Sequence, residues 1–202
     1  MPVPKARLEL VPAPAIARIP VPIDADVIAR AARGDASCRE LIYRAHAASI
    51  ANVAARALRS RAAAEDIVQD TFVAAFEGLH RVKEPSALRG WLTQIAVHLM
   101  RRRWRRDRVL AFVGYAREPA QPLDTWAPEG TSSEVRLMLR DVDNVLSTLP
   151  EKVRLAWLLR NVEDERLEHV AAAVGCSLAT VKRWIAQADA AIALWREEHA
   201  RS

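Results

Sequence analysis

The chain has 202 residues, 51% of them hydrophobic and 27% charged, and a net charge of +5. That apolar fraction excludes a disordered chain, and the length suits one large domain or two small ones. Cys38 and Cys176 stand alone in their segments, which excludes a disulfide framework and fits a reducing cytoplasm.

Residues 1–22 hold six of the eleven prolines. Repeated proline removes backbone donors and breaks helix and strand alike, so this arm is expected to be disordered or polyproline-like. It carries neither the basic start nor the unbroken apolar core of a secretion signal. No apolar run approaches the ~20 residues needed to span a bilayer, so a cytoplasmic protein without membrane contact of its own is expected.

From Asp24 the texture turns to alanine, leucine and arginine with helical period. Asp24 or Asp26 can cap a first helix over Val27–Arg33, which Gly34 ends. A second helix runs from about Ser37 to Leu58 and a third over Ala62–Leu79. The third has two faces. Val68, Phe72, Ala75, Phe76 and Leu79 form a core stripe, whereas Asp66, Asp70, Val73 and Glu77 share the other side at helical spacing. An exposed acidic face with an apolar residue in it either docks a basic partner or is simply solvated.

Pro85 and Ser86 break the chain before a fourth helix over Leu88–Val109. Within it, residues 100–108 carry six arginines and Trp104. Guanidinium groups stay charged, grip phosphates in a fork and stack on flat rings. An arginine cluster continuing an apolar helix therefore points to a polyanion that carries bases. Trp104 either stacks on such a base or covers the helix packing. Residues 23–112 hold 16 basic and 10 acidic residues, against 9 and 10 over 139–202, so the positive field lies in the first half.

The period fails from Gly114 to Ser133, which holds Pro119, Pro122, Pro128 and Gly130 and reads as a linker. A helix then covers Glu134–Leu149, Pro150 breaks it, and three more are expected over Glu151–Val162, Glu165–Val174 and Ser177–Trp195. The last two read as a helix-turn-helix. Gly175 suits a left-handed closing turn, Ser177 suits a cap, and Val170, Val174, Val181 and Ile185 give facing apolar sides. Ala179, Thr180, Lys182, Arg183 and Gln187 are left nearer solvent, where a recognition helix meets a major groove. A plain helical hairpin is the competing reading.

The fold expected is all-α: two small helical domains joined by a flexible linker, the second containing the helix-turn-helix. Boundaries fall at 1–22 for the arm, 23–112, 113–138 for the linker and 139–198. No catalytic constellation is visible. The five histidines lack metal-ligand spacing, and there is no glycine-rich phosphate loop, so neither metal nor cofactor is expected.

An acidic AEDIVQDTF helix, ALRGWLTQIA running into arginines, LPEKVRLAWLLR and a GCSLATVKRW turn-helix together resemble a bacterial RNA polymerase sigma factor of the extracytoplasmic-function group. The resemblance covers about residues 23–195. It implies a transcription initiation factor, not an enzyme, with core RNA polymerase and promoter DNA as partners; an anti-sigma factor is usual in the family. By position, Asp66, Gln69, Asp70, Phe72 and Val73 would contact core polymerase. Arg81, Lys83, Ser86, His98, Arg101, Arg102, Trp104, Arg105 and Arg108 would meet the minus-ten region, with the loop from His80 to Ser86 pocketing a flipped-out base. Ser177, Ala179, Thr180, Lys182, Arg183 and Gln187 would read the minus-thirty-five element. The chain has His98 and Arg102 where family members often carry Asn and Asp. The alternatives are a stand-alone helix-turn-helix regulator on duplex operator DNA and a helical adaptor for acidic proteins.

Overall fold

The computed structural model describes residues 23–114 and 132–199. The proline arm and linker residues 115–131 lie outside these. The described residues form eight α-helices: α1 (Ala25–Ala32), α2 (Ala36–Leu58), α3 (Arg61–Gly78), α4 (Leu88–Phe112), α5 (Ser133–Thr148), α6 (Glu151–Asn161), α7 (Leu167–Val174) and α8 (Leu178–His199). Two short 3-10 turns, Leu79–Arg81 and Pro85–Ala87, separate α3 from α4. The chain is all-α, as its periodicity leads one to expect, and α5 begins one residue before the expected start at Glu134.

Short polar side chains start the helices. Asp24, rather than Asp26, caps α1 by accepting from the Val27 N–H at 2.9 Å. Asp35 caps α2 through the Cys38 N–H at 3.1 Å, and Ser60 caps α3 through the Ala63 N–H at 3.2 Å. Each satisfies a donor that has no partner within its helix. Arg59 ends α2 in the left-handed region (φ 54°, ψ 39°), with its N–H bonded to the Ala55 carbonyl at 2.7 Å. A side chain there costs about 1–2 kcal/mol, so the tight reversal into α3 is held by the surrounding packing.

Helices α1 to α4 form the first body. Ile28, Ile42, Val53, Ile67, Phe72, Leu79, Leu88, Leu92, Val97 and Met100 fill its core. In the second body α6 is the central helix. Residues Val153 to Leu159 are all buried, because α5, α7 and α8 surround this helix and α2 closes over it. The Trp157 indole N–H donates to Asp189 on α8 at 2.8 Å, so the largest core side chain there also keeps its polar atom satisfied.

Two tethered bodies, each with a free side, are expected from the sequence. In the structure they share one continuous buried cluster. Helix α4 packs on α7, and α2 packs on α6. Arg56 on α2 pairs with Asp143 on α5 at 2.5 Å, and both side chains are buried. Among the described residues no helix is long and apolar enough to cross a membrane.

Candidate nucleic-acid interface

Helix α4 sorts its side chains by angle. Leu92, Ala96, Val97, Met100 and Trp104 recur at three- and four-residue intervals and are buried. His98, Arg102, Arg105 and Arg106 are exposed and lie on the opposite side. Two arginines on the flanks are half-buried. Arg103 reaches Asp66 on α3 at 3.1 Å. Arg101 turns toward the α7–α8 corner, where a Cβ placed on Gly175 would lie 3.0 Å from its Nη1. Arg108 is exposed, 3.9 Å from Glu151 at the start of α6. The outward cations are therefore Arg102, Arg105 and Arg106, while Arg101 and the exposed Arg108 are directed at the second body.

Trp104 is a correction. Its ring is 2% exposed and packs in the core of the first body, so it covers the helix packing and offers no face for a base. Its position follows from spacing: it lies four residues after Met100 and seven after Val97, on the buried stripe. Before α4, His80, Arg81, Lys83 and Ser86 are all exposed in the segment of short turns. They add two cations and two small polar groups beside the arginine face.

On α3, Glu65, Asp66, Gln69, Asp70, Val73 and Glu77 are exposed, with Val73 56% exposed amid the acids. Phe72 lies on the core stripe expected for it. It is 3% exposed, with its ring 4.8 Å from that of Tyr43 and 5.8 Å from that of Phe76, and so belongs to the packing between α2 and α3 rather than to the outer acidic face. It forms the floor of an apolar groove of about 650 Å³ between these helices. Tyr43, Ala47, Ala48 and Ala51 supply the α2 wall. Sequence reasoning missed this wall. The only local signal is a run of small residues on one side of α2, preceded by the exposed Tyr43.

The second candidate element is the α7–α8 pair. Gly175 closes α7 in the left-handed region at φ 70° and ψ 54°. Ser177 then accepts from the Thr180 N–H at 3.2 Å, and its hydroxyl lies 2.9 Å from that of Thr180. Val170, Val174 and Val181 are buried between the two helices. Ala179, Lys182, Arg183 and Gln187 are exposed on one side of α8, with Thr180 half-buried beside them. The hydroxyls of Ser177 and Thr180 are engaged in starting the helix, which leaves Lys182, Arg183 and Gln187 as the long polar side chains facing outward.

Both cysteines are free. Among the described residues no group of three His, Cys, Asp or Glu side chains comes together to hold a metal.

Comparison with known proteins agrees with this arrangement of elements. The family model for sigma-70 region 2 matches residues 42–109, and that for sigma-70 region 4 matches residues 139–191. The first match spans the acidic and arginine helices, and the second spans the turn-helix. The RNA polymerase sigma-H factor of Pseudomonas aeruginosa is 28% identical over 176 residues, covering 84% of this chain and 91% of that protein. The ferric citrate uptake sigma factor FecI of Escherichia coli is 30% identical over 166 residues, covering 79% and 91%. Among solved structures, that of CnrH in complex with the cytosolic domain of CnrY superposes with a TM-score of 0.63 at 24% identity, covering 87% of this chain and 98% of that one; it has the same fold. The chain belongs to the RNA polymerase sigma factors, of the extracytoplasmic-function type.

Proposed function

We infer that the protein is a promoter-specificity subunit: it binds core RNA polymerase, directs it to particular promoters and helps to melt the DNA there. The observation that carries this reading is the pairing, in one chain, of an outward arginine face on α4 with a turn-helix whose α8 presents Lys182, Arg183 and Gln187.

Each surface suits a separate task. The α3 face of Asp66, Gln69, Asp70 and Val73 is acidic with one apolar residue at its centre, and would dock a basic partner on the polymerase. His98, Arg102, Arg105 and Arg108 would hold the minus-ten region through phosphate contacts, whose affinity falls steeply with salt. Arg81, Lys83 and Ser86 stand where an extruded base would be received; unstacking it costs a few kcal/mol, which a protein pocket offsets. On α8, Ala179, Lys182, Arg183 and Gln187 would enter the major groove at the minus-thirty-five element, with Ser177 and Thr180 setting the start of the helix. The working domains are residues 23–112 and 139–198. Polymerisation chemistry belongs to the partner enzyme, the compartment is the cytoplasm, and an anti-sigma factor is the expected regulator.

The test compares the chain alone with the chain bound to core polymerase. The reading expects weak binding of promoter DNA by the free chain and specific binding by the assembled complex. Tight binding of a duplex operator by a dimer of the free chain would support the stand-alone regulator instead.

A further inference from the structure

The groove between α2 and α3 gathers three aromatic rings. Phe72 forms its floor, with the rings of Tyr43 and Phe76 centred 4.8 and 5.8 Å from its own. Tyr43 on one rim and Val73 on the other are exposed to solvent. The small side chains of Ala47, Ala48 and Ala51 keep the α2 wall low, which leaves about 650 Å³ of open space along the groove. Exposed apolar side chains gathered at a concave site mark a docking surface rather than ordinary surface.

One segment of the same chain has the matching chemistry. Residues 1–22, outside the described residues, hold six prolines among Leu, Ile and Val. Proline-rich segments suit aromatic-lined grooves, because polyproline II is preformed and loses little freedom on docking. Its period of three residues would set Ile16 and Ile19 on one side and Arg18 on another. The arm carries Lys5, Arg7 and Arg18 against Glu9 alone. The α3 side of the groove has the opposite sign: Glu65 lines it, and the exposed Asp70 and Glu77 stand on either side of Val73 at helical spacing. The connection is also short. Ile23, which follows the arm, packs against the core just before α1. At the far end of α1, Arg39 donates to the Ala31 carbonyl at 2.9 Å and holds its guanidinium 5.3 Å from the centre of the Phe76 ring. Helix α1 is about 12 Å long, whereas the steps from Ile23 back to Ile16 span about 22 Å as polyproline II. The arm therefore joins the fold within reach of the groove.

We propose that the proline arm, residues 1–22, is an intramolecular ligand of this groove, with Ile16 and Ile19 against Tyr43 and Phe76 and Arg18 toward the α3 acids, so that the arm and core polymerase compete for one side of α3. The competition rests on the sigma-factor reading, whereas the docking does not. Gln69 and Val73 line the groove and also belong to the face assigned to polymerase. A segment tethered this closely acts at an effective concentration in the millimolar range. Even a weak intrinsic affinity then keeps the groove covered in the free chain, while a tight partner can still displace the arm.

The experiment uses the full chain labelled with fluorotyrosine. Tyr43 and Tyr115 are its two tyrosines, so fluorine NMR gives two signals, and Tyr43→Phe assigns them. Ile16→Ser with Ile19→Ser removes the anchors without touching a described helix. Ala48→Arg fills the groove with a good helix former of the arm's own sign, and circular dichroism checks its fold. The arm substitutions should move the Tyr43 signal in the native groove and leave it unmoved in the Ala48→Arg background. Excess synthetic peptide of residues 1–22 should return the arm variant's signal toward the wild-type position. An unmoved Tyr43 signal in the arm variant would overturn the docking, and so would a shift that grows with protein concentration, as a second copy in the groove would produce. The arm variant should also capture core polymerase about tenfold more tightly, the effect of losing a tethered competitor present locally at about ten times its dissociation constant. Equal capture by both chains would overturn the competition. Failure of the wild-type chain to capture core at all would count against the sigma-factor reading and leave the docking, read by NMR, standing.

Discussion

Arg103 on α4 and Asp66 on α3 form an ion pair at 3.1 Å, joining the arginine helix to the acidic helix. The Asp66 side chain remains 64% exposed, so the pair orients the carboxylate without hiding it. An ion pair this open contributes about 0–1 kcal/mol to stability. Asp70, one turn further along α3, is exposed and makes no ion pair among the described residues.

Charge reversal separates the two acids. Asp70→Lys should abolish capture of core polymerase with no change in melting temperature. Asp66→Lys should do the same with a small thermal loss, since it also abandons Arg103. Pull-downs beside thermal melts report both quantities, and wild-type recovery of core by Asp70→Lys would remove α3 from the docking surface.

Trp104 and Arg105 are neighbours with opposite roles. Trp104→Ala should destabilise the fold by about 3–5 kcal/mol, the usual cost of emptying a large aromatic site. Arg105→Ala should leave stability within about 0.5 kcal/mol of wild type, as surface changes do, while weakening promoter binding by the assembled complex. Denaturant titration and filter binding on the same pair of variants check this contrast.

On α8, Lys182→Ala combined with Arg183→Ala should weaken binding to the minus-thirty-five duplex. The slope of log affinity against log salt should fall by roughly one for each phosphate contact removed. An unchanged slope and footprint would make the turn-helix structural only.

Gly175 carries two constraints together. Its φ is 70°, and an added Cβ would stand 3.0 Å from an Arg101 guanidinium nitrogen. Gly175→Ala should therefore lower the melting temperature, with a left-handed cost of about 1–2 kcal/mol. Removing the neighbour, as in Gly175→Ala with Arg101→Ala, should relieve the contact but not the backbone strain, so only part of the loss should return.

Asp35 gives a dependence on pH. Its carboxylate accepts from the Cys38 N–H and from Arg30, which together hold it below the ordinary aspartate range. A depressed acid stabilises the fold above its unfolded pKa of about 3.9 and loses that contribution as pH falls through the folded value. The stability gap between wild type and Asp35→Ala should thus be full at neutral pH and close below about pH 4. Chemical denaturation across that window measures it.

Much of the local structure is legible in the sequence. Gly175 and Ser177 announce the turn-helix, and Pro85 and Pro150 mark helix starts, because their backbone preferences act over a few residues. Trp104 was harder to place, since its arginine neighbours suggest exposure while its spacing from Val97 and Met100 sets it on the buried stripe. Phe72 shares a helix with the acidic face yet lies on the inner side of it. The packing of the two bodies is not legible at all: Arg56 and Asp143 are 87 positions apart, and no local period brings them together. The groove wall at Tyr43, Ala47, Ala48 and Ala51 is likewise a property of two packed helices rather than of one segment.

The most direct measurement is run-off transcription with purified core RNA polymerase, the purified chain and fragments of genomic DNA. The account predicts discrete transcripts that start at specific sites, require the chain and vanish with Asp70→Lys. Transcripts identical with and without the chain, or tight specific operator binding by the chain alone with no initiation, would contradict it.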